Sequence, residues 1–570
     1  MGDKFYITVN EGKIKGIKKT SIFSGVEYYS FLGVPYAQPP VGNARFKDPV
    51  RIKPWTTTFD ATVEKEGCRH FSVLKRGLAG SEDCLYNNIH VSKVPFLLNP
   101  GTKALKTVNL ILANIFLLNK IPNENEPLKA VIVNIHPGGF FHGSADPSQY
   151  GSPDFVIHHD IVYICISYRL HILGFLNLGL KECSGNQGLK DIIMSLEWIR
   201  DNAIAFGGDP NNVTIMGSSS GSALVNALMI SPRAKGLFHK AVLMGMYVLN
   251  PALITLQENA SIAFEIAQSL GYEGAAEERK KLLSFFKKIP IEAVIVLRPE
   301  TLLHKVKMAM FPASPFVPTS DTSGENPVLP ISLKDLVPST TRIPIMVGFC
   351  EKEAVMVFLK VLKSSMAKNF YSTVTQNVWG WGHDLTEEDL KLIKEQAEQF
   401  YLNGEPTERA ALSDRCEIQT DMALSDAYDS LINIIARDLP SSAYVYRFDF
   451  EGSIPTIKER IMAQLDEPLK GTAHADDYSY WSFVKDHLSK MDYNMSPKTH
   501  EMVEKFTKLI CTFAKTGNPN YEGLEVEWKP SSIENPHYLS INDPLTSIEG
   551  KLNGKRMEFW ENLKKQFTNE

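Results

Sequence analysis

Apolar positions in the first half of the chain switch between two periods. Short runs rich in β-branched residues, Ala130 to Ile135 and Val162 to Tyr168, read as buried strands. After them comes Gly188 to Phe206, with apolar residues at Leu189, Ile192, Ile193, Leu196 and Ile199, which is one face of an amphipathic helix. Ala241 to Met246, Ile343 to Phe349 and Ala443 to Phe450 are further strand candidates. Strands separated by helical patterns predict an α/β fold built on a large, mostly parallel sheet flanked by helices. The stretches 253–297, 384–402 and 421–437 are helical in pattern and read as excursions that roof an active site. Internal repeats, low-complexity tracts and linkers do not interrupt the chain, so one domain over 1–570 is expected.

The most informative stretch ends another strand-like run. Val213-Thr-Ile-Met leads into Gly217-Ser218-Ser219-Ser220-Gly221, and the helix-compatible Ser-Ala-Leu-Val-Asn-Ala-Leu follows. This is Gly-x-Ser-x-Gly in the strand–turn–helix context of a nucleophile elbow, where a sharp turn presents the central Ser219 above the sheet. A Ser/Gly-rich loop is the plain alternative. Three other features decide against it. Ile343 to Phe349 runs into Cys350-Glu351-Lys352-Glu353, an acid just past a strand's carboxyl end. His474 sits among small residues in Gly471-Thr-Ala-His474-Ala-Asp-Asp477. The strand at 130–135 ends in His136-Pro137-Gly138-Gly139, whose glycines let backbone N–H groups approach a ligand. Ser, then acid, then His is the chain order of an α/β-hydrolase triad.

Composition narrows the reading. A formal net charge of −5 with no polybasic run gives no reason to expect nucleic acid or an acidic membrane surface. No apolar run reaches membrane-span length; the nearest, Val108 to Leu118, carries Asn109 and Asn114. No integral membrane segment is expected, and a myristoylation, signal-peptide or retention signal is not seen. Neither Cys-x-x-Cys nor His-Glu-x-x-His occurs, so no metal and no cofactor is expected. The seven cysteines are scattered, with Cys165 inside an apolar run where a buried thiol is expected. Cys68 and Cys84 would close a short loop worth about 3 kcal/mol if bridged. An odd total favours a mostly reduced, cytoplasmic protein, or a secreted one if a leader was trimmed. Of two glycosylation sequons, Asn212-Val-Thr falls inside a strand, leaving Asn259-Ala-Ser as the better acceptor.

Longer motifs then carry a resemblance. They are Phe31-Leu-Gly-Val-Pro-Tyr-Ala-Gln-Pro-Pro-Val-Gly with Arg45-Phe46, Ser81-Glu-Asp-Cys-Leu-Tyr, Tyr168-Arg-Leu-His-Ile-Leu-Gly-Phe, Asn186-Gln-Gly-Leu-Lys-Asp, Phe206-Gly-Gly-Asp-Pro-Asn-Asn-Val-Thr and Phe513-Ala-Lys-Thr-Gly-Asn-Pro-Asn. Nearly end to end, the chain resembles the type-B carboxylesterases (the carboxylesterase/cholinesterase family), and within it the insect α-esterases. The resemblance implies the α/β-hydrolase fold and a serine hydrolase of carboxylic esters whose partner is a small-molecule ester. Ser219 would be the nucleophile, His474 the proton carrier and Glu353 the acid, with Glu351 as runner-up. Gly138, Gly139 and Ser220 would supply the oxyanion-hole N–H groups. It further implies a buried Arg45–Glu82 ion pair and a Cys68–Cys84 disulfide.

The chain departs from the family pattern in four places. Ser218 and Ser220 stand where Glu and Ala are usual, Pro137 replaces a glycine, and an apolar insertion spans about 94–119. The insertion admits a lid, a membrane-surface contact or a homodimer contact, against an ordinary buried hairpin or helix. Between Cys68 and Cys84 there is no Trp, and Phe71 is the only aromatic. With no cation-binding indole there and no acid beside the nucleophile, uncharged hydrophobic esters are expected. The alternative is a binder on the same fold that sequesters esters or toxicants with slow turnover. An adhesion-type relative is disfavoured by the full triad.

Overall fold

In a computed structural model of the protein, the described residues are 4–72, 77–92, 127–245, 259–296, 316–330, 342–353, 385–407, 410–421 apart from 412 and 419, 443–456 with 458, 469–482, and 495–567 apart from 533. The insertion at 94–119 lies outside them, as does 421–437 beyond Asp421.

A single mixed sheet organises the chain. Its strands are β1 (Lys4–Val9), β2 (Gly12–Thr20), β3 (Glu27–Pro35), β4 (Tyr86–Val91), β5 (Lys129–Ile135), β6 (Val162–Ile166), β7 (Gly208–Ser218), β8 (Lys240–Met244), β9 (Ile345–Cys350), β10 (Ala443–Phe448), β11 (His537–Ile541) and β12 (Thr546–Glu549). They are ordered β1-β2-β3-β4-β6-β5-β7-β8-β9-β10-β11-β12. From β6 to β11 every pairing is parallel; the flanking strands pair antiparallel, apart from a two-residue strand, Phe59–Asp60, that adds to β2 in parallel. The predicted strands at 130–135, 162–168, 241–246, 343–349 and 443–450 are β5, β6, β8, β9 and β10.

Helices cover both faces. Those used below are α1 (Gln187–Asn202), α2 (Ser220–Ile230), α3 (Ala260–Ser269), α4 (Arg279–Lys288), α5 (Glu387–Leu402), α6 (Asp476–Trp481) and α7 (Pro497–Thr516). Strand side chains alternate between the faces. Val131, Val133, Ile135, Ile215, Leu243 and Val347 join one buried cluster with Leu189, Ile192 and Leu196 of α1 and Leu224 and Leu228 of α2. Ile132, Met216, Val242, Met244 and Met346 join the other, with Phe506, Leu509, Ile510 and Phe513 of α7. Burial on both faces is why these strands read as continuous apolar runs.

Three local expectations meet the structure. Cys68 and Cys84 are bridged, and Cys165 is a buried free thiol whose pKa burial pushes up to about 12. Arg45 Nε and Nη2 donate to Glu82 at 2.7 and 2.5 Å, and Nη1 to the carbonyls of Phe286 and Ile289 at 3.0 Å. The Asn259 sequon is corrected. Asn259 is buried beside the start of α3; its Oδ1 accepts from the Asn177 N–H and its Nδ2 donates to the Phe175 carbonyl, at 2.8 and 2.7 Å. An amide spent on two internal hydrogen bonds is no glycan acceptor.

Candidate active site

β7 ends at Ser218, and α2 begins at Ser220 with no connecting loop. Ser219 therefore turns the chain by itself, at φ 55° and ψ −127°, a strained conformation for a residue with a side chain. Glycine on either side permits the turn. A Cβ at Gly217 would lie 2.4 Å from the Gly221 carbonyl carbon, and one at Gly221 would lie 2.2 Å from the Ile135 carbonyl oxygen. The Ser219 N–H donates to the Met244 carbonyl at 2.9 Å, tying the elbow to the end of β8.

Register brings the loop after β5 alongside, since Ile135 pairs with Gly217. Gly138 and Gly139 have φ of 131° and 61°. The Gly138 carbonyl accepts from the N–H groups of Phe141 and His142, and a Cβ there would collide with the His142 carbonyl. The N–H groups of Gly138 and Gly139 meet no acceptor among the described residues. His136 anchors the loop: its ring stacks on Tyr168 at 4.4 Å, and the Tyr168 hydroxyl donates to the His136 carbonyl at 2.9 Å. Pro137, the unusual residue, accepts at its carbonyl from His136 Nδ1 at 2.8 Å.

The acid and the imidazole arrive on two loops joined edge to edge. The Lys352 N–H donates to the Thr472 carbonyl at 2.8 Å, and the Glu351 N–H to Thr472 Oγ1 at 3.0 Å. The Thr472 hydroxyl donates in turn to the Phe448 carbonyl at the end of β10. The residue before Glu353 thus pairs with the residue before His474. Glu353 Oε2 lies 2.5 Å from His474 Nδ1, while Oε1 accepts from the Cys350 N–H at 2.7 Å. Glu351 turns instead toward Gly471, where a Cβ would touch its carboxylate. Both partners of the pair are buried.

Gly245 places this pair beside the elbow. It follows Met244, the residue that receives the Ser219 N–H, and a Cβ on it would stand 3.2 Å from the His474 ring and 3.3 Å from Glu353 Oε1. Burial opposes charging the imidazole, but the Glu353 carboxylate, with Asp477 and Asp476 behind it, outweighs burial and raises the His474 pKa. Asp477 is held by the Tyr446 hydroxyl at 2.8 Å and by the Tyr478 N–H at 2.7 Å; burial and the Glu353 charge push its pKa up to about 6. Asp476 accepts from the Ala473 N–H at 2.8 Å, and burial lifts it to about 7.

Ser219, Glu353, His474, Gly138, Gly139 and Ser220 therefore gather at the carboxyl ends of β5, β7, β8 and β9. The Ser218 and Ser220 hydroxyls are buried, and that of Ser218 has no hydrogen-bond partner among the described residues. Sequence reasoning missed Gly245, Tyr446 and the joined loops. The Asp-Asp after His474 was a visible signal, whereas Gly245 was only a glycine after a strand. Among the described residues the site holds no metal-ligating trio; the one such trio lies elsewhere.

Three comparisons place the chain among known proteins. The sequence profile described as the carboxylesterase family matches residues 3–560. Esterase E4 of Myzus persicae is 28% identical over 536 residues, covering 92% of this chain and 88% of that protein. Esterase B1 of Culex pipiens is 29% identical, covering 93% and 92%. Carboxylesterase 1D of Mus musculus is 28% identical, covering 94% and 88%. The crystal structure of juvenile hormone esterase from Manduca sexta superposes with a TM-score of 0.78 at 24% identity, over 99% of this chain and 100% of that one. That likeness establishes the α/β-hydrolase fold.

Proposed function

The chain belongs to the carboxylesterase family and is a carboxylic ester hydrolase, and from that premise we propose that it cleaves uncharged, hydrophobic esters through an acyl-enzyme on Ser219. The observation that carries the reading is the His474–Glu353 pair packed on Gly245 beside the Ser219 elbow. Because His474 Nδ1 faces the carboxylate, the imidazole keeps Nε2 as its base. Ser219 Oγ attacks the carbonyl and passes its proton to His474, and Glu353 stabilises the imidazolium that forms. The N–H groups of Gly138, Gly139 and Ser220 hold the oxyanion; loss of one such donor costs about 3 kcal/mol in the transition state. His474 returns the proton to the leaving alcohol, and water then releases the acyl group by the same route.

Substrate preference rests on what the site lacks in charge. Ser218 puts a small neutral side chain beside the nucleophile, and Phe71 supplies the single aromatic ring of the Cys68–Cys84 loop. Neither offers a cation its usual partner. The bridged Cys68–Cys84 pair supports maturation in an oxidising compartment, the secreted branch of the expectation.

Hydrolysis of a short-chain nitrophenyl ester by wild type and Ser219→Ala tests the reading. Sustained turnover that vanishes in the variant is the expected result. A stoichiometric burst followed by silence would replace it with a sequestering protein that acylates once.

A further inference from the structure

Away from the active site, the fold collects three metal-ligating side chains that no sequence motif links. His158 and His159 lie in the one-turn segment Ile157–His159 just before β6, and Glu504 projects from α7. His158 Nε2 is 2.7 Å from Glu504 Oε2, across 346 residues of sequence. The two imidazole centroids stand 4.0 Å apart. One ligating atom from each of the three lies within 4.8 Å of the other two.

We propose that His158, His159 and Glu504 bind one zinc-type divalent cation on the α7 face. Two imidazoles and a carboxylate form a familiar three-ligand set for zinc, leaving the fourth position to water. Each ring can offer one nitrogen lone pair and Glu504 one carboxylate oxygen. His158 Nδ1, across the ring from the nitrogen that meets Glu504, is buried and has no hydrogen-bond partner among the described residues. The His159 nitrogen near α7 is positioned by the Thr507 hydroxyl at 2.8 Å, which fixes the ring's orientation. Phe23 packs against the His158 ring at 5.8 Å and stacks on His500 at 4.2 Å, walling one side.

Two features set the strength. The unsatisfied His158 nitrogen lacks the outer hydrogen bond that supports a tight site, a deficit of about 10–100-fold in affinity. Lys508 shares the helix but is turned onto the Tyr521 ring at 4.2 Å, so it lowers affinity without blocking the ligands. A bound ion would clamp the segment before β6 to α7, the helix that packs beneath α6 and its neighbour His474.

The test uses metal-stripped full-length protein titrated with zinc chloride by calorimetry, alongside Glu504→Gln and His159→Gln. None of these residues belongs to the catalytic machinery, so ester hydrolysis in both variants should match wild type. One equivalent of binding, weakened at least about 10-fold in each folded variant, is expected. Absence of heat at about 100 µM zinc overturns the proposal. So does unchanged affinity in both variants, which would assign the ion to others among the 14 histidines. Should either variant fail to fold, cobalt substitution of the unmutated protein decides: paramagnetically shifted resonances from two histidine rings support the site, and their absence sinks it.

Discussion

Gly245 carries more of the site's geometry than its size suggests. With φ at +76° and the His474 ring 3.2 Å from any Cβ, it is glycine for both backbone and contact reasons. Gly245→Ala should displace the imidazole and lower kcat by about 10- to 100-fold with KM little changed, as steady-state kinetics would register. The two glutamates of the neighbouring loop should separate sharply. Glu353→Gln removes the carboxylate that orients Nδ1 and should cost about 10³–10⁴-fold in kcat, whereas Glu351→Gln should leave turnover within a few-fold. The pH profile belongs to the same scale. In the proposed mechanism His474 must be neutral to act as base, so its raised pKa should make activity fall as pH drops through that value. Asp477→Asn removes one of the carboxylates that raise it. The acid limb of kcat/KM should therefore move to lower pH, and a profile that stays put would refute the electrostatic role.

At the scale of elements, the joined loops after β9 and before α6 explain why spacing alone left Glu351 and Glu353 both in play. Two acids two residues apart look alike in sequence; the pairing of Lys352 with Ala473 decides which one faces His474. Thr472→Val deletes the hydroxyl that accepts from the part-buried Glu351 N–H and donates to the buried Phe448 carbonyl, stranding both. A loss of about 1–3 kcal/mol in stability is expected, measurable by denaturant unfolding. The central strands were legible because burial on both faces writes them as unbroken apolar runs. β2 was not, since Lys13, Lys15, Lys18 and Lys19 interleave with its few buried residues and blur the pattern. Asn259 misled for a related reason: a sequon reports three residue types and nothing about the short helix ending at Phe175 whose carbonyl claims the amide.

Across the whole molecule, two covalent or ionic ties fasten the amino-terminal segments to the sheet and its helices. The Cys68–Cys84 bridge closes a short loop, and the Cys68→Ala, Cys84→Ala double variant should lose about 3 kcal/mol of stability. Arg45 joins Glu82 to the last carbonyls of α4, where a cation suits the helix's negative end. Arg45→Met would leave Glu82 half-buried and unpaired, and the melting temperature should fall. The distribution of the active-site residues along the chain has a consequence for synthesis. A ribosome that has made the chain through Glu353 has made the elbow and the glycine loop, but not His474. The proposed proton carrier emerges only with residue 474, and the helix that supports it and the strand β11 that covers β10 come later still. A product interrupted before residue 474 should therefore be inert, and one that stops before β11 leaves β10 as an open sheet edge that invites aggregation. Ester turnover in a cell extract should count finished, correctly closed molecules and ignore every fragment, which makes the reaction a reporter of its own biosynthesis.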